Sequence, residues 1–194
     1  MNHYYYIDLD NYYVYSGSNV LRNKLDIQDA QRLEEAEHLL VSIRLAELYD
    51  KPVQVKTIKD ICQIHKYLFQ DIYDWAGEFR KVNISKENKP FLPLQAFEKA
   101  SLYMEQLIHN VTIADSKELL IHALAQLLDN LNYMHPFREG NGRTQREVIR
   151  SILRYKGFDA EINSPEDEEI YDLYMQGTIY SDLTLLRKLF EKIV

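Results

Sequence analysis

Cysteine is nearly absent from the sequence, and its scarcity limits where the protein is expected to work. Cys62 is the only cysteine among 194 residues, so no disulfide can form within the chain. Disulfides persist in oxidising compartments, whereas a chain without them suits a reducing cytosol. We therefore predict a cytoplasmic protein.

Long apolar runs are absent as well. No stretch approaches the roughly 20 residues that a membrane-spanning helix needs, and the N-terminus has no basic region followed by an apolar core. We therefore expect neither a membrane span nor a signal peptide. Repeats and low-complexity linkers are also missing, and a length of 194 residues is typical of a single domain.

An excess of positive charge is the third absence. Lysine and arginine together number 23, against 30 aspartates and glutamates, which gives a formal net charge of −7 at pH 7. Proteins that bind nucleic acids need a basic surface, so we expect no nucleic-acid partner. The hydrophobic content of 46% is ordinary for a globular domain.

Apolar residues recur at helical spacing along most of the chain, which predicts an all-α fold. Predicted helices cover 28–49, a stretch beginning at Thr57, 117–133 and 142–156, with others after Pro93, Ser164 and Ser181. In the first helix, the predicted core face consists of Leu33, Ala36, Leu40 and Ile43. The stretch 117–133 is the most apolar, and we expect it to be the central buried helix that delivers His135.

Residues 79–93 break the helical pattern. The alternation from Phe79 to Ile84 is typical of a strand, and the residues up to Pro93 complete a short hairpin. Proline cannot donate a backbone hydrogen bond, so Pro90 and Pro93 make the second limb a poor central strand. The edge of this second limb is therefore predicted to stay open.

Tyrosine is abundant, with 15 in the chain and six of them within residues 4–15. We interpret residues 1–18 as an N-terminal arm that packs its aromatic rings on the domain. The alternative is that one of these hydroxyl groups is self-modified.

The most informative segment runs from His135 to Arg146 and reads His-Pro-Phe-Arg-Glu-Gly-Asn-Gly-Arg-Thr-Gln-Arg. Gly140 and Gly142 allow a tight turn that brings backbone N–H groups to an anion, at the positive end of the following helix. Arg143 and Arg146 share one face of that helix and can bind phosphate oxygens. The segment therefore predicts a polyphosphate site.

Two side chains of the same segment add chemistry to phosphate binding. Glu139 precedes the turn, where a carboxylate can hold Mg²⁺ against the phosphates. His135 has an ordinary pKa suited to accepting a proton near neutrality. Structural or solvent-facing roles are expected for Pro136, Phe137, Arg150 and Arg154, and packing roles for His3, His38, His65, His109 and His122.

The segment matches in full the signature HPFx(D/E)GNGRxxR, so the chain resembles the Fic (Fido) family of protein adenylyltransferases. Residues 74–80 look like the Trp-Ala-Gly stretch before that family's flap, and residues 17–25 look like the entry to its compact bacterial toxins. The resemblance implies a single domain, built as a bundle of about eight helices with one β-hairpin flap. The Fic domain implied in this way spans residues 1–194. It contains an N-terminal arm at 1–18, a flap at 79–93, and the catalytic loop and helix start at 135–146.

The resemblance also implies an enzyme that moves AMP from ATP to a Tyr, Ser or Thr hydroxyl of a target protein, with ATP and Mg²⁺ as cofactors. In this scheme His135 takes the hydroxyl proton and Glu139 holds Mg²⁺. The nucleotide is held by the backbone of Gly140, Asn141 and Gly142, the Asn141 side chain, Arg143 and Arg146. By positional match Tyr171 flanks the adenine, and core packing is the alternative for it.

Two protein partners follow from the resemblance. In the family the flap, here residues 79–93, pairs with an extended segment of the target through backbone hydrogen bonds. Many members also carry an inhibitory helix with the pattern (S/T)xxxE(G/N). Here only Ser101 and Ser164 have a glutamate at that spacing, and neither glutamate is followed by Gly or Asn. We therefore hypothesise a separate small antitoxin that supplies this helix to a toxin, with an unrestrained or differently restrained enzyme as the alternative.

Two other functions stay open at this point. The same fold can transfer another group, such as phosphate, UMP or phosphocholine, or the chain is a catalytically silent nucleotide-binding module. The complete signature favours AMP transfer, because a full set of phosphate ligands suits a triphosphate that is attacked at its α-phosphorus. The presence of His135 beside that set argues against the silent module.

Overall fold

The computed structural model describes residues 4–6, 12–86, 89–162 and 167–194, with the backbone alone described for Tyr4–Tyr6. These residues form seven α-helices and a small sheet, which confirms the expected helical fold with one hairpin. None of the described helices is long and apolar enough to cross a membrane. The helices are α1 (Ala30–Asp50), α2 (Ile58–Phe69), α3 (Phe97–Ile113), α4 (Lys117–Met134), α5 (Asn141–Tyr155), α6 (Glu168–Tyr180) and α7 (Leu183–Ile193), with a 3₁₀ turn at Leu94–Ala96.

Local signals in the sequence determine where several helices begin and end. A capping box starts α2, in which the Asp60 carboxylate accepts a hydrogen bond from the Thr57 N–H at 2.8 Å. The Ser116 hydroxyl oxygen accepts from the backbone of the first turn of α4 at 3.3 Å. Gly157, with a φ of 88°, follows the end of α5, where a left-handed glycine commonly ends a helix.

The most apolar helix, α4, lies at the centre of the bundle, as predicted. It packs against α3, α5, α6 and α7. Its buried side chains include Leu120, Leu124, Leu127, Leu128 and Leu131. Each buried leucine stabilises the fold by about 1.5–3 kcal/mol relative to exposure. Because His135 directly follows Met134, the last residue of α4, the core of the bundle fixes the point at which the imidazole leaves the helix.

The hairpin consists of β2 (Ile84–Lys86) and β3 (Lys89–Pro90), within the flap expected from the sequence. A further strand, β1 (Tyr4–Tyr6), pairs antiparallel with β2 and places Tyr5 opposite Ser85. The open edge predicted for the second limb is confirmed in the described sheet, where β3 pairs with β2 alone. The N-terminal segment of the same chain occupies the other edge of β2.

The rest of the N-terminal arm packs on the domain only in part. Tyr13 is 2% exposed, and its ring meets the Trp75 ring edge to face with 5.5 Å between centroids. Tyr12 beside it is 49% exposed. The packing interpretation is confirmed for Tyr13, whereas the side chains of residues 4–6 lie outside the described part of the chain.

The buried face of α1 differs from the predicted one. It is formed by Leu33, Glu37, Val41 and Leu48, whereas Ile43 is 50% exposed. Apolar residues at neighbouring positions allow two different faces of this helix to be buried. The burial of Glu37 shows which of the two faces packs on the core. The helix expected after Ser164 begins at Glu168, and residues 163–166 lie outside the described residues.

Arg150 also corrects a prediction. It was expected on a solvent-facing stripe of α5, but it is only 7% exposed. Its guanidinium donates to the Glu147 carboxylate at 2.7 Å and to the Leu48 carbonyl at 2.8 Å. A buried cation is tolerated when it is paired and hydrogen-bonded, so this pair joins α5 to the end of α1.

Candidate active site

The imidazole of His135 leaves α4 at its C-terminal end. His135 adopts the left-handed backbone conformation, with a φ of 44°, and so turns the chain out of the helix. Its Nδ1 donates to the Asn132 carbonyl oxygen at 3.0 Å. A carbonyl can only accept, so the hydrogen of the neutral ring is on Nδ1 and the basic lone pair is on Nε2.

A ring from the flap covers this imidazole. The Phe91 and His135 rings are stacked, with 3.7 Å between centroids and 16° between planes, and His135 is 5% exposed. The pKa of His135 is lowered to about 3, chiefly by burial and also by the cations of Arg80 and Lys86, against the raising effect of its backbone hydrogen bond. The ring is therefore neutral at physiological pH, with no proton on Nε2, but burial makes it a weaker base than the ordinary imidazole expected from the sequence.

Gly140 makes the turn between His135 and α5. Its φ is 76°, and a Cβ added there would lie 2.2 Å from Cζ of Phe69, so both conformation and space exclude a side chain. Asn141 closes the same loop, accepting from the Phe137 N–H at 2.9 Å and donating to the Phe137 carbonyl at 2.8 Å. One of the two N–H groups of the Asn141 amide is used in this way, so the donor role predicted for this side chain stays a prediction.

The first turn of α5 offers a site for an anion. The N–H groups of residues 141–143 have no acceptor within the helix, and Gly140 at the N-cap has no side-chain oxygen to cap them. These groups carry the partial positive charge of the helix N-terminus. A Cβ at Gly142 would meet the Arg146 guanidinium at 3.4 Å and the Tyr174 hydroxyl at 3.5 Å, so the glycine keeps the backbone accessible.

His65 supports the loop from beneath. Its Nδ1 accepts from the Gly77 N–H at 2.8 Å, so Nε2 carries the hydrogen and donates to the Glu139 carbonyl at 3.0 Å. Its ring is stacked on Phe137 with 3.8 Å between centroids. The packing role predicted for His65 is confirmed. The packing role is wrong for His38, His109 and His122, which are exposed, and His3 lies outside the described residues.

A carboxylate that the sequence analysis missed reaches the loop from α1. Glu37 accepts hydrogen bonds from the Arg143 guanidinium and from the Tyr73 hydroxyl. Glu139 lies 3.7 Å from the same guanidinium and accepts from the Gly140 N–H at 2.8 Å. Burial, and then the charge of Glu37, raise the pKa of Glu139. Because two carboxylates share one guanidinium, a further cation would be stabilised beside them.

Glu139 fits one mode of Mg²⁺ binding. The described residues contain no group of three or more His, Cys, Asp or Glu side chains that could hold a metal by themselves. Mg²⁺ is commonly bound by one or two carboxylates together with substrate phosphates. The Glu139 side chain is 27% exposed beside the start of α5, where such phosphates would lie.

Arg146 faces a different environment from Arg143. Its guanidinium donates to the Tyr174 hydroxyl at 3.4 Å, and in the described part of the chain no carboxylate forms an ion pair with it. A cavity of about 460 Å³ lies beside it, between α1 and α5. The residues that line the cavity include Leu45, Tyr49, Arg143, Arg146 and Arg150. Arg146 is therefore placed to bind an anion that enters from this side.

Tyr171 lies one turn before Tyr174 on α6. Its ring centroid is 6.3 Å from that of Tyr174, and the residue is 37% exposed. The core-packing alternative for Tyr171 is therefore wrong, and a contact with adenine stays a prediction.

Comparisons with known proteins agree with this geometry. The model of the Fic/DOC family matches residues 56–153. The probable protein adenylyltransferase Fic of Escherichia coli K12 is 31% identical over 184 residues, which cover 94% of this chain and 91% of the relative. Protein adenylyltransferase VbhT of Bartonella schoenbuchensis is 35% identical over 169 residues, which cover 80% of this chain and 35% of that protein.

Solved structures show the same fold at lower identity. The crystal structure of BepC from Bartonella tribocorum with bound AMPPNP superposes with a TM-score of 0.79. The two chains are 21% identical, and the match covers 96% of this chain and 97% of the other. The likeness to this solved structure therefore covers the overall fold.

Proposed function

The chain belongs to the Fic/DOC family and is a protein adenylyltransferase, and from this premise we propose which described residues move AMP from ATP to a hydroxyl group of a target protein. One observation carries the assignment of roles. The neutral imidazole of His135 and the open N-terminus of α5 belong to one short loop, which Gly140 and Asn141 hold in shape.

The nucleotide is bound through its phosphates at the start of α5. Backbone N–H groups of residues 141–143 donate to phosphate oxygens, which the positive end of the helix favours. Arg146 and Arg143 bind the β- and γ-phosphates, and Glu37 keeps the Arg143 guanidinium at the loop. This clamp fixes the α-phosphorus in line for attack. Tyr171 flanks the adenine from the exposed side of α6.

The transfer step uses His135 as a general base. The target hydroxyl oxygen attacks the α-phosphorus while its proton passes to Nε2 of His135. The bond between the α-phosphorus and the oxygen that bridges to the β-phosphate breaks, and its electron pair leaves with pyrophosphate. Glu139 would hold Mg²⁺, which neutralises charge that develops on the α- and β-phosphates.

Mass spectrometry of cell proteins after expression of the chain tests this assignment. We expect a mass increase equal to one adenylate on a Tyr, Ser or Thr residue of a target. An added phosphate, UMP or phosphocholine would assign the fold to another transfer reaction. A proteome without any added group would favour the silent nucleotide-binding module.

The target docks on the flap at 79–93 by adding a strand to the β2 edge. We choose this edge because Pro90 leaves β3 with one fewer backbone donor. Since β1 already pairs with β2, a target strand must displace residues of the N-terminal arm.

Removing residues 1–11 is therefore expected to raise kcat/KM for the target. Backbone hydrogen bonds contribute about 0.5–1.5 kcal/mol each, so freeing the edge predicts a gain of roughly tenfold. The affinity for a non-hydrolysable ATP analogue serves as the control, because the phosphate clamp is untouched, and it is expected to stay constant. An unchanged kcat/KM would show that the target does not use the β2 edge. Intact mass of the full chain after incubation with ATP reveals whether the arm itself is modified.

The enzyme acts as the toxin of a pair, restrained by a small antitoxin. This proposal is supported by the absence of an inhibitory pattern in the sequence and by the cavity beside Arg146, which is lined by the apolar Leu45 and the aromatic Tyr49. A glutamate on the antitoxin helix pairs with Arg146 there. Co-expression with the neighbouring reading frame should relieve toxicity and yield a co-purifying small helical protein. A harmless lone chain without such a partner contradicts the proposal.

A further inference from the structure

A buried arginine, Arg80, lies where the flap meets the end of α4. It is 2% exposed, and in the described part of the chain no carboxylate forms an ion pair with it. Burial lowers the pKa of Arg80 to about 10, so the guanidinium is still charged at neutral pH. Burying a charged group is costly unless hydrogen bonds satisfy it. The acceptors around the Arg80 guanidinium therefore explain why this charge is tolerated in the fold.

Among the described residues, the guanidinium of Arg80 donates only to backbone carbonyls, and these come from three segments. Nε donates to His135 at 2.8 Å, and Nη2 lies 3.4 Å from the carbonyl oxygen of Met134, at the C-terminal end of α4. Nη1 donates to Val82 at 2.7 Å, before β2, and Nη2 donates to Leu92, after β3. One side chain therefore binds both limbs of the flap and the residue that carries the catalytic imidazole.

Helix physics explains why a cation suits this position. The last carbonyl oxygens of a helix accept no hydrogen bond from within the helix, and they carry the partial negative charge of its C-terminus. His135 is also held in the left-handed conformation, which a non-glycine residue keeps only when its surroundings fix it. The backbone N–H of Arg80 adds a hydrogen bond to the Pro136 carbonyl at 2.8 Å. The guanidinium also packs 4.7 Å from the centroid of the Phe97 ring.

We propose that Arg80 is a positioning residue that keeps the flap and the His135 imidazole in fixed relative positions, so that a docked target strand presents its hydroxyl group to the base. The stack of Phe91 on the imidazole depends on the same relative position. The Leu92 N–H, bonded to the Tyr133 carbonyl at 3.0 Å, is the one other described hydrogen bond between the second limb and this helix end. The expected effect on kcat rests on the proposed transfer reaction, whereas the expected effect on the flap and residues 133–137 does not depend on that reaction.

Replacing Arg80 by methionine or lysine in the full chain tests the proposal. Displacement of reacting groups by about 1 Å can lower a rate by roughly 100-fold, so we expect Arg80→Met to lower kcat by about that factor. Arg80→Lys keeps the charge and some bonds, so it should recover part of the rate. The affinity for a non-hydrolysable ATP analogue should stay within about threefold of wild type, because the phosphate clamp is separate. A role confined to folding would lower both quantities together.

Hydrogen exchange gives a readout that does not depend on activity. In either variant, amides of the second flap limb, including Leu92, and amides of residues 133–137 should exchange faster together. Arg44→Met is the matched control, because the described hydrogen bonds of the Arg44 guanidinium go to Asp71 and Glu47 and not to the flap or residues 133–137, and it should change neither kcat nor exchange in these segments.

Several results would overturn the proposal. They are a wild-type kcat in folded Arg80→Met, a parallel fall of kcat and analogue affinity, or faster exchange in the flap alone. If the methionine variant does not fold, Arg80→Lys decides by the same criteria. A wild-type chain that transfers no AMP contradicts the proposed function, and hydrogen exchange still tests the role of Arg80.

Discussion

Replacing His135 by alanine is expected to lower kcat for AMP transfer by roughly 10²- to 10⁴-fold, the usual contribution of a general base. The reason is geometric as well as chemical. The bond from Nδ1 to the Asn132 carbonyl places the basic lone pair on Nε2, and burial keeps the ring neutral. Rates of transfer at saturating ATP measure the effect.

Nucleotide affinity separates this loss of chemistry from a loss of binding. The phosphates are held by residues after Gly140, so the affinity for a non-hydrolysable ATP analogue should be nearly unchanged in His135→Ala. His135→Asn is a useful second variant, because asparagine tolerates the left-handed conformation found at this position. His122→Ala, at an exposed site on α4, is the control and should transfer AMP at the wild-type rate. A mutant of His135 with more than a tenth of the wild-type kcat would exclude the imidazole as the base.

Replacing Gly140 by alanine is expected to damage both stability and nucleotide binding. The left-handed conformation costs a non-glycine residue about 1–2 kcal/mol, and overpacking adds about 1–3 kcal/mol. The added Cβ would lie 2.2 Å from the Phe69 ring, whose face also supports the Arg143 guanidinium at 4.8 Å. We therefore expect the midpoint of thermal unfolding to fall by roughly 5–15 °C, and the affinity for the ATP analogue to fall as well.

Gly157 offers a matched control for this substitution. Its φ is 88°, but an added Cβ would meet no atom within 4 Å. Gly157→Ala should therefore show the conformational cost alone, a fall of roughly 3–6 °C, with nucleotide affinity unchanged. Equal falls for the two variants would mean that the contact with Phe69 does not shape the loop.

Local and periodic signals predicted the parts of the structure that depend on nearby residues. The capping box at Thr57, the apolar stripe of α4 and the glycine turn at Gly140 are each determined by a few neighbouring side chains. The signature from His135 to Arg146 could be recognised because the loop needs fixed residue types at fixed spacing to hold its shape.

Long-range contacts were not predictable in the same way. Glu37 and Arg143 are 106 positions apart, and a carboxylate on the apolar face of α1 was the one signal of their pairing. The acceptors of Arg80 are backbone carbonyls, which every residue possesses, so no residue type marks them. The stack of Phe91 on His135 likewise depends on how the hairpin folds back over α4.

The most direct test of the account uses ATP labelled separately at its α- and γ-phosphates. The central claim is that His135 deprotonates a hydroxyl group that attacks the α-phosphorus held at the start of α5. We predict that the α-label appears on protein with the wild-type chain, and that it is lost with His135→Ala. Transfer of the γ-label, or α-labelling that persists in the mutant, would contradict this claim.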